Sequence, residues 1–251
     1  MDEAQLFTYV LIVVFAGAAM TTVSTLAVSA PYGRHGRAGW GPAMNTRAAW
    51  VVMEAPSVFL FLYVFSQGRG AFELAPLLLC AMWQAHYVQR TLIYPFRMRA
   101  ARPTPVAVVA MGFAFNCANS YLNARWISHF GDYAQAWLSD PRFLVGAAVF
   151  AFGYTINRQS DAILRRLRAP GETGYKIPRG GAYELLSCPN YFGELVEWIG
   201  WAIATWSLAG LSFAVFTAAN LVPRALAHHR WYREQFPDYP PNRRAVIPFI
   251  L

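Results

Sequence analysis

Residues 194–227 read ELVEWIGWAIATWSLAGLSFAVFTAANLVPRALA. The run is too long for one membrane-crossing helix, which takes about 20 residues. SLAG at 207–210 is the natural break, a small polar turn between two apolar stretches. Breaking the chain there decides between six spans and seven. Working outward, LFTYVLIVVFAGAAMTTVSTLAVSA (6–30) carries no charge, and the residues before it, MDEAQ, are acidic. A cleaved signal peptide needs a basic start and a shorter core, so this reads as a retained first span. Further apolar runs lie at roughly 50–66, 74–94, 105–122 and 143–157.

The basic residues test this count, because cytoplasmic loops are rich in Lys and Arg. With the N-terminus outside, the inner segments carry Arg34, Arg37, Arg47, Arg97, Arg99, Arg102, Arg158, Arg165, Arg166, Arg168, Lys176, Arg179, Arg224, Arg230, Arg233, Arg243 and Arg244. That is seventeen of the 21. Six spans would leave the basic C-terminal tail outside. The expected architecture is therefore an all-α polytopic membrane protein of seven helices, N-terminus outside and C-terminus cytosolic, in one domain (1–251).

Only 14% of the 251 residues are charged and 56% are hydrophobic, against roughly 25% charged in an ordinary soluble domain. The net charge of +8 does not point to nucleic acid, because the basic residues lie on the inner rim, where topology and anionic lipid account for them. Cys80, Cys117 and Cys188 form no CxxC; they read as reduced packing residues, with no disulfide framework and no metal site.

Ionisable residues inside spans are expensive and therefore candidates for function. Glu54 lies in the second run, two residues before Pro56. The third holds His86, Tyr87, Gln89 and Arg90. His86 and Arg90 are i,i+4 and share a helix face; Tyr94 extends the stripe. Glu54 and Tyr87 fall at comparable depth and can meet. The fifth run continues as Asn157, Asp161, Arg165 and Arg168 on one face, then enters PGETGYKIPRGG (170–181). Pro170 and Gly171 stop the helix, and Gly174, Gly180 and Gly181 permit backbone that side chains forbid. Asn190, Glu194 and Glu197 follow at helical spacing, with Arg165 and Arg168 the expected partners of the two acids. Arg224, His228 and Tyr232 are i, i+4, i+8. The bland readings are a structural glutamate near a helix start, a solvated charged face and an interfacial amphipathic helix. Against them stands convergence: all these groups lie on the inner halves of spans. They frame a cavity suited to a lipid-soluble substrate and an anionic, water-soluble cofactor.

The stretch from about 154 to 251 closely resembles the steroid 5α-reductase family, notably NRQSDAILRRLRAPGETGYKIPRGGAYELLSCPNYFGELVEWIGWAIATWSLAG and RALAHHRWYREQFPDYPPNRRAVIPFIL. WVVMEAPS (50–57) and AHYVQRTLIYPF (85–96) look like its N-terminal signatures; residues 1–45 and 105–150 match mainly in hydropathy. The resemblance implies NADPH-dependent reduction of the C4–C5 double bond of a 3-oxo-Δ4-steroid. It places Glu54 and Tyr87 at the 3-keto oxygen. It assigns Asn157, Asp161, Arg165, Arg168, Tyr175, Asn190, Glu194, Arg224, His228 and Tyr232 to the cofactor. The steroid pocket is then expected mainly in spans one to four, and the cofactor site mainly in spans five to seven and the cytosolic loops. The compact, Ala- and Arg-rich chain suggests a bacterial inner-membrane member, or an endoplasmic-reticulum one if eukaryotic. It is expected to be a monomer in contact with lipid, its active site facing the cytosol. Met53 is a departure, since relatives often carry Gln before the glutamate. Tyr87 can donate its hydroxyl to the carbonyl; Glu54 can donate if protonated, or accept from Tyr87. The sequence leaves both roles open.

No GxGxxG follows a strand, so a Rossmann site is excluded. Competing readings are an isoprenylcysteine-type methyltransferase using S-adenosylmethionine, an enoyl-thioester or polyprenol-type reductase, and a passive sterol-binding protein. The last has little need of so many carboxylates.

Overall fold

The computed structural model describes residues 1–27, 39–98, 102–169, 172 and 174–251. Arg34, Arg37 and Arg99 of the basic count, and the helix stop at Pro170–Gly171, lie outside the described residues.

Among these residues the chain forms α1 (Glu3–Ala27), α2 (Thr46–Ser66), α3 (Leu74–Val88), α4 (Tyr94–Arg97), α5 (Val106–Arg125), α6 (Pro141–Arg166), α7 (Pro189–Thr205) and α8 (Leu208–Gln235). A π turn at Gln89–Ile93 joins α3 to α4, so seven long helical stretches result. By length and composition alone, three helices are apolar enough to cross a membrane: α1, α2 and α8. The only strands among the described residues are the pair β1 (Ala43–Met44) and β2 (Thr104–Pro105), antiparallel at the start of α2 and α5.

The 194–227 run breaks at Trp206–Ser207, at the front edge of the expected 207–210 turn; Leu208, Ala209 and Gly210 already belong to α8. Trp206 ends α7 in the left-handed conformation, φ 45°. Ser207 then caps α8, its hydroxyl accepting from the Gly210 amide at 2.9 Å. An N-cap serine satisfies a donor that the first helical turn leaves open. Asn45 does the same for α2, accepting from Arg47 and Ala48, and Asp140 for α6, accepting from Arg142.

The α6–α7 pair is the closest in the molecule's packing. A methyl group at Gly146 would stand 2.3 Å from the Ala204 amide nitrogen, and one at Gly153 2.3 Å from that of Glu197. From the other side, one at Gly193 would stand 2.4 Å from the Asn157 nitrogen, and one at Gly200 2.3 Å from that of Phe150. Two glycines seven residues apart on each helix thus make a seam where backbones touch, the small-residue packing typical of membrane helices. α2 packs along α5, and α1 along α8. Between them lies an aromatic core of Phe61, Trp83, Tyr87, Trp198, Trp201 and Phe213. Trp83 stacks on Phe61 at 4.6 Å, and its indole donates to the Ser57 carbonyl at 2.9 Å.

The end of the bundle at the α7 C-terminus is capped by side chains. Tyr133 donates to the Thr205 carbonyl at 2.6 Å and Trp137 to the Ala204 carbonyl at 3.0 Å. These are among the carbonyls that a helix C-terminus leaves without partners. Cys80, Cys117 and Cys188 are free thiols.

Candidate active site

Opposite that capped end, charged side chains from α2, α3, α6 and α7 meet. Glu54 projects from α2 and accepts from Asn116 Nδ2 on α5 at 3.2 Å. Tyr87 is buried on α3, within electrostatic range of Glu54, Glu194 and Arg90. The two residues expected at the substrate carbonyl therefore share one neighbourhood.

Arg90 links this neighbourhood to the next. Its guanidinium lies 4.4 Å over the Trp50 ring and 4.9 Å over Tyr94. It reaches Glu194 at 3.9 Å and lies within range of Glu54 and Asp161. Guanidinium faces are weakly hydrated and stack well on aromatic rings. The π turn that begins at Gln89 sets this placement, since one extra residue in a turn rotates every residue beyond it.

The seam between α6 and α7 builds the second half. Asn157 Nδ2 donates to the Asn190 carbonyl at 3.0 Å and to Glu194 Oε2 at 3.4 Å. Asn190 Nδ2 donates to Asp161 Oδ1 at 3.5 Å. These four residues come together because Gly193 and Gly153 let the two backbones touch.

The expected partners of the two acids are corrected by the structure. Glu194 pairs with Arg90 and Asn157, and Glu197 pairs with His86, Nδ1 to Oε1 at 2.8 Å, both fully enclosed. Arg168 instead donates to the Gly174 carbonyl at 2.8 Å and lies 5.8 Å over the Tyr175 ring. Arg165 is within range of Asp161 and Tyr94, and its Nη1 is buried without a hydrogen-bond partner. The reason is vertical. Glu197 sits a full turn deeper than Glu194, level with α3 rather than with the end of α6.

Arg224, His228 and Tyr232 do share one face of α8. Arg224 lies 5.4 Å over the Tyr191 ring, and His228 Nε2 is 3.3 Å from the Tyr191 hydroxyl. Asn190, His228 and Tyr232 line a cavity of about 90 Å³ together with Leu164, Tyr183, Ser187, Cys188 and Tyr191. Tyr175 is half exposed and meets Trp231 of α8 edge-on at 4.7 Å. Its loop has positive φ at Gly174, Gly180 and Gly181.

Several groups escape a reading of the sequence alone. Asn116 looks like part of an apolar run. Tyr191 sits in the helix-start motif CPNY without a charge to mark it. Arg243 reads as one of a basic tail, yet it is 1% exposed, 3.7 Å from Glu184, with all three guanidinium nitrogens lacking hydrogen bonds. The C-terminal segment brings it inward: Ser187 and Cys188 donate to the carbonyls of Arg244 and Ala245, at 2.8 and 3.0 Å. Glu184 itself accepts from the Gly180 amide at 2.6 Å. That bond, reinforced by Arg243 and Arg179, holds its carboxyl below the usual range.

Known proteins share this sequence closely. A family model described as 3-oxo-5-alpha-steroid 4-dehydrogenase matches residues 102–251. A steroid 5-alpha-reductase of Gossypium hirsutum is 45% identical over 255 residues, covering 99% of both chains. The chain belongs to the steroid 5α-reductase family. A 3-oxo-5-alpha-steroid 4-dehydrogenase 1 of Bos taurus is 48% identical over 228 residues, 89% of each chain. The one from Homo sapiens is 47% identical over 222 residues, 88% of this chain and 86% of its own. The similarity to plant and mammalian relatives thus includes α2 and α3, which the family model leaves out.

Within this family a nicotinamide dinucleotide is the group to test against the residues. Buried guanidinium nitrogens of Arg158, Arg165 and Arg243 lack hydrogen-bond partners. Arg158 and Arg165 lie within range of Asp161, and Arg243 stands 3.7 Å from Glu184. The donor set suits a ligand with phosphates at one end and an amide-bearing ring at the other.

Proposed function

We propose that this chain is a membrane-embedded oxidoreductase that reduces the C4–C5 double bond of a 3-oxo-Δ4-steroid, using NADPH, to the 5α product. The names of its relatives support the substrate class. The observation that carries the site is Arg90. One guanidinium stands among Glu54, Glu194 and Asp161, so the carbonyl-facing pair and the α6–α7 amide cluster form one continuous polar site. In this reading the seven helical stretches all cross the membrane, N-terminus outside, with the site at the cytosolic end.

Residues of α6, α7 and α8 would hold the nicotinamide cofactor, which would supply the hydride for C5. Arg165, Arg168 and Arg224 would hold its phosphates. Asn157, Asp161, Asn190 and Glu194 would hold ribose and amide groups, and Tyr175, His228 and Tyr232 would supply rings and hydroxyls. Negative charge develops on the 3-keto oxygen as the double bond is reduced. Donors already aimed at that oxygen stabilise it without reorganisation. Tyr87 and a protonated Glu54 are two such donors. A proton from solvent then adds at C4 and completes the reduction. The loop through Tyr175 would lie over the bound cofactor and would have to move for its release.

The test is product analysis after incubating purified protein with NADPH and a panel of Δ4-3-ketosteroids. Glu54→Leu and Tyr87→Phe are each expected to lower kcat about 10²–10³-fold, the usual cost of one lost oxyanion donor. Absence of any 5α-reduced product from the wild-type protein sinks the proposal.

A further inference from the structure

We propose that Asn116 is a positioning residue that dictates which carboxyl oxygen of Glu54 carries a proton, and therefore which one meets the substrate. The inference rests on the reading of Glu54 given above.

Asn116 lies on α5, 6% exposed. Its Nδ2 donates to the Met53 carbonyl at 2.7 Å and to Glu54 Oε2 at 3.2 Å. The two ends of an asparagine amide are told apart only by their partners. Here the partner is decisive. A backbone carbonyl only accepts, so the atom facing Met53 is the NH₂ group. Its second hydrogen then points at Oε2.

An N–H donor aimed at Oε2 favours the acceptor form of that oxygen. In a neutral Glu54 the proton consequently sits on Oε1, the oxygen that Asn116 does not hold. Oε1 is then the donor available to a carbonyl. The other charged or titratable groups around Glu54 are His86, Tyr87 and Arg90 from α3 and its π turn, and Glu194 from α7. They flank Glu54 from α3 and α7, whereas Asn116 holds Oε2 from α5.

The contact depends on close approach of α2 to α5. Gly112, one turn before Asn116, leaves room for the Met53 side chain: a methyl at Gly112 would stand 2.9 Å from Met53 Sδ. The amide that steadies the glutamate thus reaches it from α5, in a chain whose residue before the glutamate is methionine.

The experiment uses the purified full-length chain in detergent. Asn116→Leu removes the donor, and Asn116→Ala removes it without adding volume or charge, which holds the test if the leucine variant does not fold. Each is expected to lower kcat about 10- to 100-fold, the worth of one hydrogen bond to an ionisable group, with steroid KM within about threefold. The infrared carbonyl stretch of protonated Glu54, isolated as wild type minus Glu54→Gln, is expected to shift in both variants. A kcat within threefold of wild type, an unmoved band, or no such band in the wild type overturns the inference. Full activity of Glu54→Leu removes the reading of Glu54 as the substrate group; the infrared arm alone then decides for or against Asn116.

Discussion

Gly153→Ala is the sharpest probe of how this fold holds its site. The added methyl would stand 2.3 Å from the Glu197 nitrogen and 2.5 Å from the Gly193 carbonyl oxygen. Both are backbone atoms and cannot swing aside. Ordinary contact needs about 3.5 Å, so the helices must part by roughly 1 Å. Overpacking of this kind costs about 1–3 kcal/mol, while alanine gains at most about 1 kcal/mol over glycine in a helix. The clash wins. At about 2–4 °C per kcal/mol for a chain of this size, the melting midpoint falls by several degrees. Function falls further. The Asn157–Asn190 bond, now 3.0 Å, stretches past hydrogen-bonding range. A misplacement near 1 Å costs about 10²-fold in rate. Thermal denaturation in detergent reads the first effect; steady-state turnover and tryptophan quenching by NADPH read the second. Gly17→Ala is the control, since its methyl would meet only Phe216 at 3.6 Å. A Gly153→Ala protein that melts no lower than wild type and binds NADPH equally well would refute the claim that this seam builds the site.

Three further outcomes are expected. His86→Leu leaves Glu197 enclosed without its partner and lowers stability by about 3–5 kcal/mol; adding Glu197→Leu recovers most of the loss, measured by thermal denaturation of both variants. Arg90→Lys keeps the charge but loses the stacking between Trp50 and Tyr94, so steady-state kinetics register lower kcat/KM for steroid and NADPH together. Glu184 has a depressed folded value, so its contribution is present above the ordinary glutamate range near 4.3 and is lost as pH falls through the folded value. The melting difference between wild type and Glu184→Gln should accordingly shrink as pH drops from about 6 to below 4.

Much of the polar cluster is legible because membrane burial makes charge conspicuous. Glu54, Tyr87, Asn157, Asp161, Asn190 and Glu194 stand out against apolar surroundings, and the structure brings Asn157, Asp161, Asn190 and Glu194 into contact. The break near 207–210 was legible from length alone. The hidden part was relational. Nothing in the spacing of Gly146, Gly153, Gly193 and Gly200 says that they face each other. A polar residue in an apolar run, such as Asn116, acquires meaning only when a second helix supplies its partner. The acids on α7 were matched to the wrong cations because sequence gives position around a helix more readily than depth between helices. Arg243 looked like a tail residue because chain return cannot be seen in the chain.

The π turn at Gln89–Ile93 makes the length of this helix as informative as its composition. A single-residue deletion there, with every functional side chain retained, restores regular winding. Everything beyond it then turns by about 100°. Tyr94 leaves Arg90, and the guanidinium keeps only the Trp50 face of its aromatic seat. One surplus residue thus decides how firmly the shared cation is held.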